Sequence, residues 1–337
     1  MAEDLGLQSS TVSASVEAIR GELSRTKIST TTLNFIVWID DPARRDWVLE
    51  RAGMLAEKHP SLMLIFDHTG ARAGDATVTT VRHDTQAAFS VQGERVDVDV
   101  SDADAATVAG YVTGLCSPSV PTVLWWTGRQ EGSREIFYAL LPHVQTLLFD
   151  SSGGARDESA MRAIVEFHRQ HPEVVLRDLA WMRLLPWQDM VANFFDDPAL
   201  REELYTIRSL HIASGSDSEA FYLGGWLASN LGWTPSGRDA FTDARGKPVE
   251  FKRKRIGDIR RVQSICLDSE TSWYHGEVAE EDAGVVRIWV EGEHAREPRL
   301  FPLKAIDNAS LLERAVLEPG SDELFEAALQ SAGTLLG

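Results

Sequence analysis

The sequence predicts an α/β N-terminal region with a mostly parallel sheet, followed by a smaller α+β region with antiparallel strands. Continuous apolar runs at 31–39, 61–66 and 120–126 alternate with helical patterns. Such runs are typical of parallel strands that helices cover on both faces. After residue 247 the pattern changes to a succession of short strands without helices between them. This succession favours antiparallel pairing.

The N-terminal region opens with a polar lead-in, residues 1–24, which carries a short predicted helix at 16–23. A second helix is predicted from Asp41-Pro42 to about residue 58, because proline suits the first turn of a helix. Asp102 or Asp104 is expected to cap a helix that runs to residue 115. The other elements are strands at 31–39, 61–66, 77–82, 95–100, 120–126 and 146–150, and helices at 133–141 and 157–170.

Residues 178–196 form an aromatic segment with two tryptophans and two phenylalanines. Within it, Pro186 predicts a break followed by a helix at 186–195, because proline is tolerated in the first turn but not further in. A strand at 204–213 and a helix at 218–231 follow, and the turn-rich residues 237–246 mark a boundary. Beyond it, strands are predicted at 248–255, 258–267, 272–277 and 285–291, and helices at 309–317 and 322–335. The predicted domains are therefore the lead-in (1–24), an α/β domain (25–236) and a C-terminal α+β domain (237–337).

The chain is acidic, with a formal net charge of −18 over 337 residues, of which 43% are hydrophobic. The hydrophobic content suffices for a folded core, while the charge repels phosphate backbones, so no nucleic acid is expected as a partner. The first residues show no secretory pattern and no apolar run reaches the length of a membrane span. We expect a cytoplasmic protein without a membrane partner. The two cysteines, Cys116 and Cys266, lie far apart in the sequence, which fits a reducing compartment and gives no zinc site.

Most motifs that carry catalysis are absent from the sequence. It has no glycine-rich dinucleotide or phosphate loop, no serine nucleophile elbow and no His-Glu-x-x-His zinc motif. Asp97, Asp99, Asp102 and Asp104 form an acidic run that could serve a divalent cation, although a charged edge strand is the favoured interpretation. The sequence therefore predicts no catalytic residue, no cofactor and no metal.

Two predicted strand ends are candidate ligand sites, because ligands of open α/β sheets bind beyond the carboxyl ends of strands. Trp125 and Trp126 end one strand, and core packing is the favoured role for both. Ser151 and Ser152 follow another strand. With the glycines after them they could offer backbone N–H groups to an anion, although a plain loop is favoured.

The chain has one basic concentration, at residues 245–261, with eight lysines or arginines against two acidic residues. One interpretation is an exposed strand whose charges prevent edge pairing. The other is a docking patch for an acidic protein surface or a phosphorylated metabolite. The candidate docking residues here are Lys252, Arg253, Lys254 and Arg255.

Several blocks of the sequence resemble one known family. In the aromatic segment they are Asp178-Leu179-Ala180-Trp181, Arg183-Leu184, Pro186-Trp187 and Phe194-Phe195-Asp196. The others, in chain order, are Arg25-Thr26, Ser29-Thr30, Leu33-Asn34-Phe35-Ile36-Val37, His59-Pro60-Ser61, Val120 to Trp126 with Gly128, Phe149-Asp150-Ser151-Ser152, Gly224 to Ser229 and Leu231-Gly232-Trp233. With these blocks, the chain from about 25 to 235 resembles the glucose-6-phosphate dehydrogenase assembly protein (OpcA) family. One departure is Leu62, where the family commonly has arginine.

The resemblance implies a non-catalytic protein that binds glucose-6-phosphate dehydrogenase of the oxidative pentose phosphate pathway. It also implies that this binding assembles the enzyme and activates it allosterically. Trp181, Arg183, Trp187 and Phe194 are then further candidates for the docking surface, because aromatic residues and arginine dominate interface energetics. The alternative is an enzyme or sensor for a phosphorylated sugar that uses the strand ends of the α/β sheet. A sensor needs a concave polar pocket, whereas an assembly factor needs an exposed docking surface.

Overall fold

A computed structural model describes residues 12–24, 31–70, 76–83, 91–128, 130–153, 157–257, 261–279, 284–303, 308–318 and 320–337. They form two compact units. The first lies within Met1–Phe149, Glu173–Arg177 and Asn308–Glu318, and the second within Asp150–Pro172, Asp178–Asp307 and Pro319–Gly337. The predicted domain boundary at residue 237 is a statement about which segments fold independently. It stays a prediction.

The strands of the described residues are β1 (Asn34–Ile39), β2 (Leu62–Asp67), β3 (Ala76–His83), β4 (Val91–Asp99), β5 (Thr122–Trp126), β6 (Thr146–Phe149), β7 (Val175–Asp178), β8 (Ser209–Ser214), β9 (Thr234–Gly237), β10 (Ala240–Thr242), β11 (Pro248–Arg255), β12 (Val262–Asp268), β13 (Ser272–Val278), β14 (Val285–Gly292) and β15 (Arg296–Pro302). The helices are α1 (Val12–Leu23), α2 (Arg45–Lys58), α3 (Ala105–Leu115), α4 (Gln130–Leu140), α5 (Asp157–Gln170), α6 (Leu179–Met182), α7 (Leu185–Phe194), α8 (Asp217–Leu231), α9 (Asn308–Leu317) and α10 (Glu323–Leu336). Among the described helices, none is both long and apolar enough to cross a bilayer.

The first unit is built on a seven-stranded sheet of order β3-β4-β2-β1-β5-β6-β7. Strands β4, β2, β1, β5 and β6 pair in parallel, while β3 pairs antiparallel with β4. Every residue of β1, β2 and β5 is buried, as expected from their continuous apolar runs. From β4 to β7 the order follows the doubly wound α/β scheme, in which the strand order reverses between β1 and β5. The predicted α/β class is confirmed.

Two details of this unit differ from the sequence predictions. Helix α2 begins at Arg45 rather than at Asp41, because the Asp41 carboxylate accepts a hydrogen bond from the Ala43 N–H (3.0 Å) in a turn before the helix. Strand β4 is not an edge strand, since it lies between β3 and β2. The edge-strand interpretation of Asp97 and Asp99 is therefore wrong.

The second unit is built on an eight-stranded sheet of order β15-β14-β13-β12-β8-β11-β10-β9. All its paired strands are antiparallel except β8 and β11, which run parallel. The predicted α+β class with antiparallel strands is confirmed, with one correction. The predicted strands at 248–255 and 258–267 are not neighbours, because β8 lies between β11 and β12.

This sheet has one buried face and one open face. Side chains along β11 to β14 alternate between buried and accessible positions, as in a sheet with helices on one side only. Phe251 of β11 packs against Phe221 of α8, and Tyr274 of β13 against Phe194 of α7. The buried face therefore carries the core of the second unit, and the other face lies open to solvent.

Helices α8 and α10 approach each other closely at Gly225 of α8. A methyl group added there would lie 2.4 Å from the Ala328 carbonyl oxygen of α10, closer than atoms can pack. Gly224 is equally confined, because a methyl group on it would lie 2.8 Å from the Phe251 ring. The Gly224-Gly225 pair thus lets α8 pack at short range on both sides.

We predict that Gly225→Ala destabilises the protein by about 1–3 kcal/mol, because overpacking outweighs the better helix propensity of alanine. The matched control is Gly21→Ala in α1, where nothing lies within 4 Å of the added methyl group. This variant should instead be stabilised by roughly 0.5–1 kcal/mol. Urea unfolding of both variants measures the difference, and equal effects of the same sign would contradict the close-packing argument.

Candidate functional site

Residues of the family-like blocks meet in a buried cluster of the second unit, built around Arg183 at the end of α6. Its guanidinium binds Asp150 through two hydrogen bonds, Nη2 to Oδ1 at 2.8 Å and Nη1 to Oδ2 at 3.1 Å. Ser152 supports the pair, because its Oγ accepts from Arg183 Nη2 at 2.6 Å and donates to Asp150 Oδ1 at 2.6 Å. A bidentate arginine–carboxylate pair is both strong and geometrically specific.

Glu219 on the first turn of α8 is the second carboxylate bound to Arg183. Its Oε1 accepts from Arg183 Nε at 3.2 Å, and its Oε2 accepts from the backbone N–H of Val262 at 2.9 Å. The Glu219 side chain is 2% exposed. One carboxylate thus connects α8 to the arginine on one side and to the start of β12 on the other.

Asp178 is the third carboxylate of the cluster and caps α6. Its Oδ1 accepts from the backbone N–H groups of Ala180 (2.8 Å) and Ser151 (3.0 Å), and its Oδ2 accepts from the Tyr222 hydroxyl at 2.7 Å. Tyr222 lies fully buried on α8. The N–H groups of Ser151 and Ser152 were candidates for binding an external anion. Instead, they donate to the chain's own Asp178 and Asp150.

Three carboxylates share one arginine, two of them buried (Asp178, Glu219) and one partly exposed (Asp150). The excess of carboxylates over positive charges separates their pKa values. Burial raises the pKa of Glu219 to about 7, and burial together with the charge of Asp150 raises that of Asp178 to about 6. For Asp150, the charge and hydrogen bonds of Arg183 outweigh burial and lower the pKa to about 2. The neighbouring carboxylates raise the pKa of Arg183 despite its burial. The carboxylate–arginine cluster (Asp150, Asp178, Arg183, Glu219) therefore holds a proton-binding site near neutral pH.

The cluster is only partly accessible. Asp178 and Glu219 are buried, whereas the side chains of Asp150 and Arg183 are 20% and 12% exposed. All four side chains are bonded to one another or to backbone N–H groups. The hydrogen bonds of the cluster hold α6 and α8 in place relative to each other, and they leave the bonded atoms unavailable for a reaction on a diffusible molecule. Among the four residues, only Arg183 was a sequence-predicted site residue. Asp150 and Asp178 lay within the family-like blocks, while nothing local marked Glu219.

The aromatic candidates for docking are buried in the same unit. Trp181 is 3% exposed and donates from Nε1 to Asp322 Oδ2, 2.9 Å away at the start of α10. Trp187 and Phe194 are each 5% exposed, and Phe194 packs edge-on against Tyr274. Arg183 is committed to the cluster. All four residues therefore have packing roles within the chain, and their role in partner binding stays a prediction.

The basic candidates divide between the two faces of the second sheet. Arg253 points to the buried side, where its guanidinium lies 4.0 Å from the Phe221 ring centre and bonds Glu158 (3.2 Å) and Asp239 (3.0 Å). Lys252 and Lys254 are exposed on the open face, and Lys252 pairs with Glu250 at 2.6 Å. Arg255 bonds Asp217 at 3.4 Å. Asp258 and Arg260, which complete the basic concentration, lie outside the described residues.

Strand β11 lies between β8 and β10. Its pairing with β10 covers only Pro248–Glu250, so residues Lys252–Arg255 pair with β8 alone. The edge-protection and docking interpretations of these charges therefore both stay predictions. The exposure of Lys252 and Lys254 leaves them accessible to a protein partner.

Bulky side chains lie at the strand reversal of the first unit, where doubly wound folds bind nucleotides. Trp38 of β1 stacks on Trp126 of β5 with ring centres 5.3 Å apart and planes 6° apart. Asp40 lies at the same end and accepts from Ser133 Oγ at 3.1 Å. A methyl group on Gly128 would lie 2.4 Å from Asp40 Oδ2. Two stacked indoles and a carboxylate are unsuited to receive a pyrophosphate, which needs open backbone N–H groups.

The remaining sequence candidates also have structural partners. Trp125 packs in the core against Phe35 and Trp47, as the favoured interpretation predicted. Asp97 bonds the Arg95 guanidinium, and Asp104 caps α3 through the Thr107 N–H at 2.8 Å. No group of three or more potential metal ligands occurs in the part of the chain that the structure describes.

Both cysteines are free thiols. Burial raises the pKa of Cys116 to about 12. Burial and the charges of Asp268 and Glu291 raise that of Cys266 to about 11. Since the thiolate is the reactive form, both cysteines have low intrinsic reactivity at neutral pH.

We predict that Arg183→Met destabilises the protein by about 3–5 kcal/mol, because Asp150 and Glu219 lose the charge that offsets their burial. Adding Asp150→Asn and Glu219→Gln to this variant should recover much of the loss, since no uncompensated charge then remains. The control Arg169→Met removes an exposed pair with Glu166 and should leave the unfolding midpoint nearly unchanged. An Arg183→Met midpoint equal to that of the control would contradict the role of the cluster.

We also predict that lowering the pH from about 8 to about 5 stabilises the cluster. The folded-state pKa values of Glu219 (about 7) and Asp178 (about 6) lie above their ordinary values of 4.5 and 3.8, so folding takes up protons in this range. The stabilisation is complete below the ordinary values and is lost as the pH rises through the folded values. Asp150 has the opposite sign, and its contribution is lost as the pH falls from 3.8 towards 2.

Unfolding free energies of the wild type and of Glu219→Gln, measured across this pH range, isolate the Glu219 contribution. The gain between about pH 8 and about pH 5 should be smaller in the variant by about 2 kcal/mol. Parallel pH profiles of the two proteins would show that Glu219 keeps an ordinary pKa.

Comparison with family models identifies both halves of the chain. The model described as the glucose-6-phosphate dehydrogenase subunit N-terminal domain matches residues 52–166, and the corresponding C-terminal domain model matches residues 174–329. The fold is similar to that of a 3-ketoreductase from Actinomadura kijaniata in complex with TDP-benzene and NADP, in its open conformation. That match has a TM-score of 0.50 and 14% identity, and covers 91% of this chain and 96% of the reductase. This likeness concerns the fold alone.

Curated relatives support the same family. A putative OxPP cycle protein OpcA of Synechococcus elongatus is 31% identical over 262 residues, which are 70% of this chain and 58% of the relative. Its counterpart in Nostoc punctiforme is 28% identical over 66% of this chain and 52% of the relative. The chain thus spans little more than half the length of these two relatives. With both domain models matched in order along the sequence, the chain belongs to the glucose-6-phosphate dehydrogenase assembly protein (OpcA) family.

Proposed function

We propose that this chain is a non-catalytic, cytoplasmic protein that binds glucose-6-phosphate dehydrogenase and promotes its assembly or active state as an allosteric activator. The observation that carries the proposal is the ordered match to both domains of a family named for that enzyme. Names of the relatives point to the oxidative pentose phosphate cycle. The partner is a protein, and neither nucleic acid nor a membrane is involved.

The geometry of the first unit supports a non-catalytic role. At the strand reversal, where doubly wound enzymes bind a nucleotide, Trp38 stacks on Trp126 and donates to Asp40. In the second unit, the titratable groups Asp178 and Glu219 are buried. The depression lined by Phe194, Trp289, Arg296 and Arg299 has a cavity volume of about 20 Å³, far below that of a metabolite site. These features disfavour the alternative of an enzyme or sensor for a phosphorylated sugar.

An assembly factor of this kind acts by binding one conformational or oligomeric state of the enzyme more tightly than another. The enzyme population then shifts towards the favoured state, and the shift is limited by the difference between the two affinities. Activity at low sugar phosphate rises if the favoured state is the competent one. We place direct docking contacts at Lys252 and Lys254, which are exposed on the open face of β11.

We predict that adding this chain to the dehydrogenase of the same cell raises its activity at low glucose 6-phosphate, through a lower apparent KM or a larger active fraction. The chain is first shown to capture the enzyme in a pull-down, and steady-state rates are then measured over a range of chain concentrations. Unchanged kinetics at saturating chain, with capture demonstrated, would falsify activation. If the chain failed to capture the enzyme, the proposal that the dehydrogenase is its partner would be refuted.

The docking surface is tested by the double reversal Lys252→Glu with Lys254→Glu. Both side chains project from one strand face into solvent, so the fold should be retained while capture weakens by roughly ten-fold or more. The matched control, Arg245→Glu with Lys247→Glu, changes the net charge equally in the exposed turn beside β11. Wild-type capture should also weaken with added salt. Equal capture by both double variants would assign the docking surface elsewhere.

A further inference from the structure

The open face of β12, β13 and β14 presents three accessible residues from each strand. The register across these strands aligns them in rows, of which the middle row is Cys266, His275 and Trp289. The first flanking row is Ser264, Glu277 and Arg287, and the second is Asp268, Trp273 and Glu291. Each flanking row lies two residues, or about 7 Å, from the middle row. We call these three rows the β12–β14 patch.

The two flanking rows of the β12–β14 patch are complementary to each other, strand by strand. On β12 the Ser264 hydroxyl, a donor, lies on one side of the middle row and the Asp268 carboxylate, an acceptor, on the other. On β13 the Glu277 carboxylate lies across that row from the indole N–H of Trp273. On β14 the Arg287 guanidinium lies across it from the Glu291 carboxylate. In every strand, therefore, a hydrogen-bond donor on one side of the middle row matches an acceptor on the other side.

This arrangement is that of a surface complementary to itself. A two-fold axis lying along the middle row would place each strand across its own copy and exchange the two flanking rows. Arg287 of one copy then meets Glu291 of the other, and the same contact is repeated across the axis. The Ser264–Asp268 and Trp273–Glu277 pairs are repeated in the same way. An axis parallel to the strands would instead place Glu277 opposite its own copy and Asp268 opposite Glu291, so like charges would meet.

The patch also has the composition of a protein interface. Trp273 is 43% exposed, although tryptophan is one of the residues most enriched in protein interfaces. Trp289 is ordered by stacking on His275, with ring centres 4.6 Å apart and planes 8° apart, and its Nε1 donates to Glu291 at 2.8 Å. His275 Nε2 lies 3.7 Å from Glu291 Oε1. Ordered aromatic rings at a solvent-facing surface lower the entropic cost of association.

We propose that two copies of this chain associate face to face through the β12–β14 patch, around a two-fold axis that crosses the strands at Cys266, His275 and Trp289. The proposal goes beyond the proposed function. Continued across β8 and β11, the same axis passes His211 and Lys252, which are aligned with Cys266. Self-association and docking through Lys252 and Lys254 therefore compete for one face of the sheet.

The oligomeric state of the full chain tests the proposal, measured by sedimentation velocity over a concentration series. The wild type should sediment as a dimer that dissociates on dilution. Arg287→Glu places like charges opposite each other at two symmetric positions, so the dissociation constant should rise by at least about ten-fold. Arg287→Glu combined with Glu291→Arg exchanges the charges and should restore the dimer. The control Lys247→Glu has the same charge change outside the patch and should leave the dimer intact.

Trp273→Ala is a second variant, and it should retain the wild-type unfolding midpoint, because the ring is largely exposed. It too should weaken the dimer. A wild type that remains monomeric throughout the series overturns the proposal, as does an Arg287→Glu variant that dimerises like Lys247→Glu. Capture of the dehydrogenase is measured separately on Arg287→Glu, so a failure of self-association and a failure of the proposed function are distinguishable.

Discussion

The second unit depends on the neutralisation of buried carboxylates by one guanidinium. Taking an ion pair out of water costs several kcal/mol, and only good geometry with further hydrogen bonds offsets that cost. Arg183 meets this condition through a two-point contact with Asp150 and a third bond to Glu219. Because Asp150, Arg183 and Glu219 come from three separate segments, the charge pairing also selects which segments meet. Apolar packing alone is less specific, since many hydrophobic surfaces fit one another approximately.

Local patterns in the sequence predicted the helices and strands that have a clear periodicity or are buried along their whole length. Predicted bounds coincide with the observed ones for α5 and β11, and β1, β2 and β5 were recognised from their continuous apolar runs. The short strands β7, β9 and β10 were missed, because three or four residues carry too little periodicity. Strand β15 was missed since nearly all its residues are exposed, so no alternation marks it. The insertion of β8 between β11 and β12 is a long-range pairing that no local pattern encodes.

The candidate site was predictable only in part, for a related reason. Arg183 was singled out through the family-like block that contains it, but its partners lie 33 and 36 residues away in the sequence. Glu219 stands in a helix as an ordinary first-turn acid, and only the tertiary fold turns it into a buried ligand of Arg183. The aromatic segment shows the converse. Its composition suited an interface and a core equally, and the fold placed Trp181 and Trp187 inside.

A doubly wound sheet offers a ligand site at its strand reversal only if that space stays open. Here the indoles of Trp38 on β1 and Trp126 on β5 stack beside the Asp40 carboxylate at that reversal. Among the described residues, many accessible polar side chains lie on the open face of the second sheet. That face places lysines on β11 and matched donors and acceptors on β12 to β14. On such a face the accessible polar groups are spread across strands rather than converging on one point, which is typical of protein-binding surfaces and not of small-molecule sites.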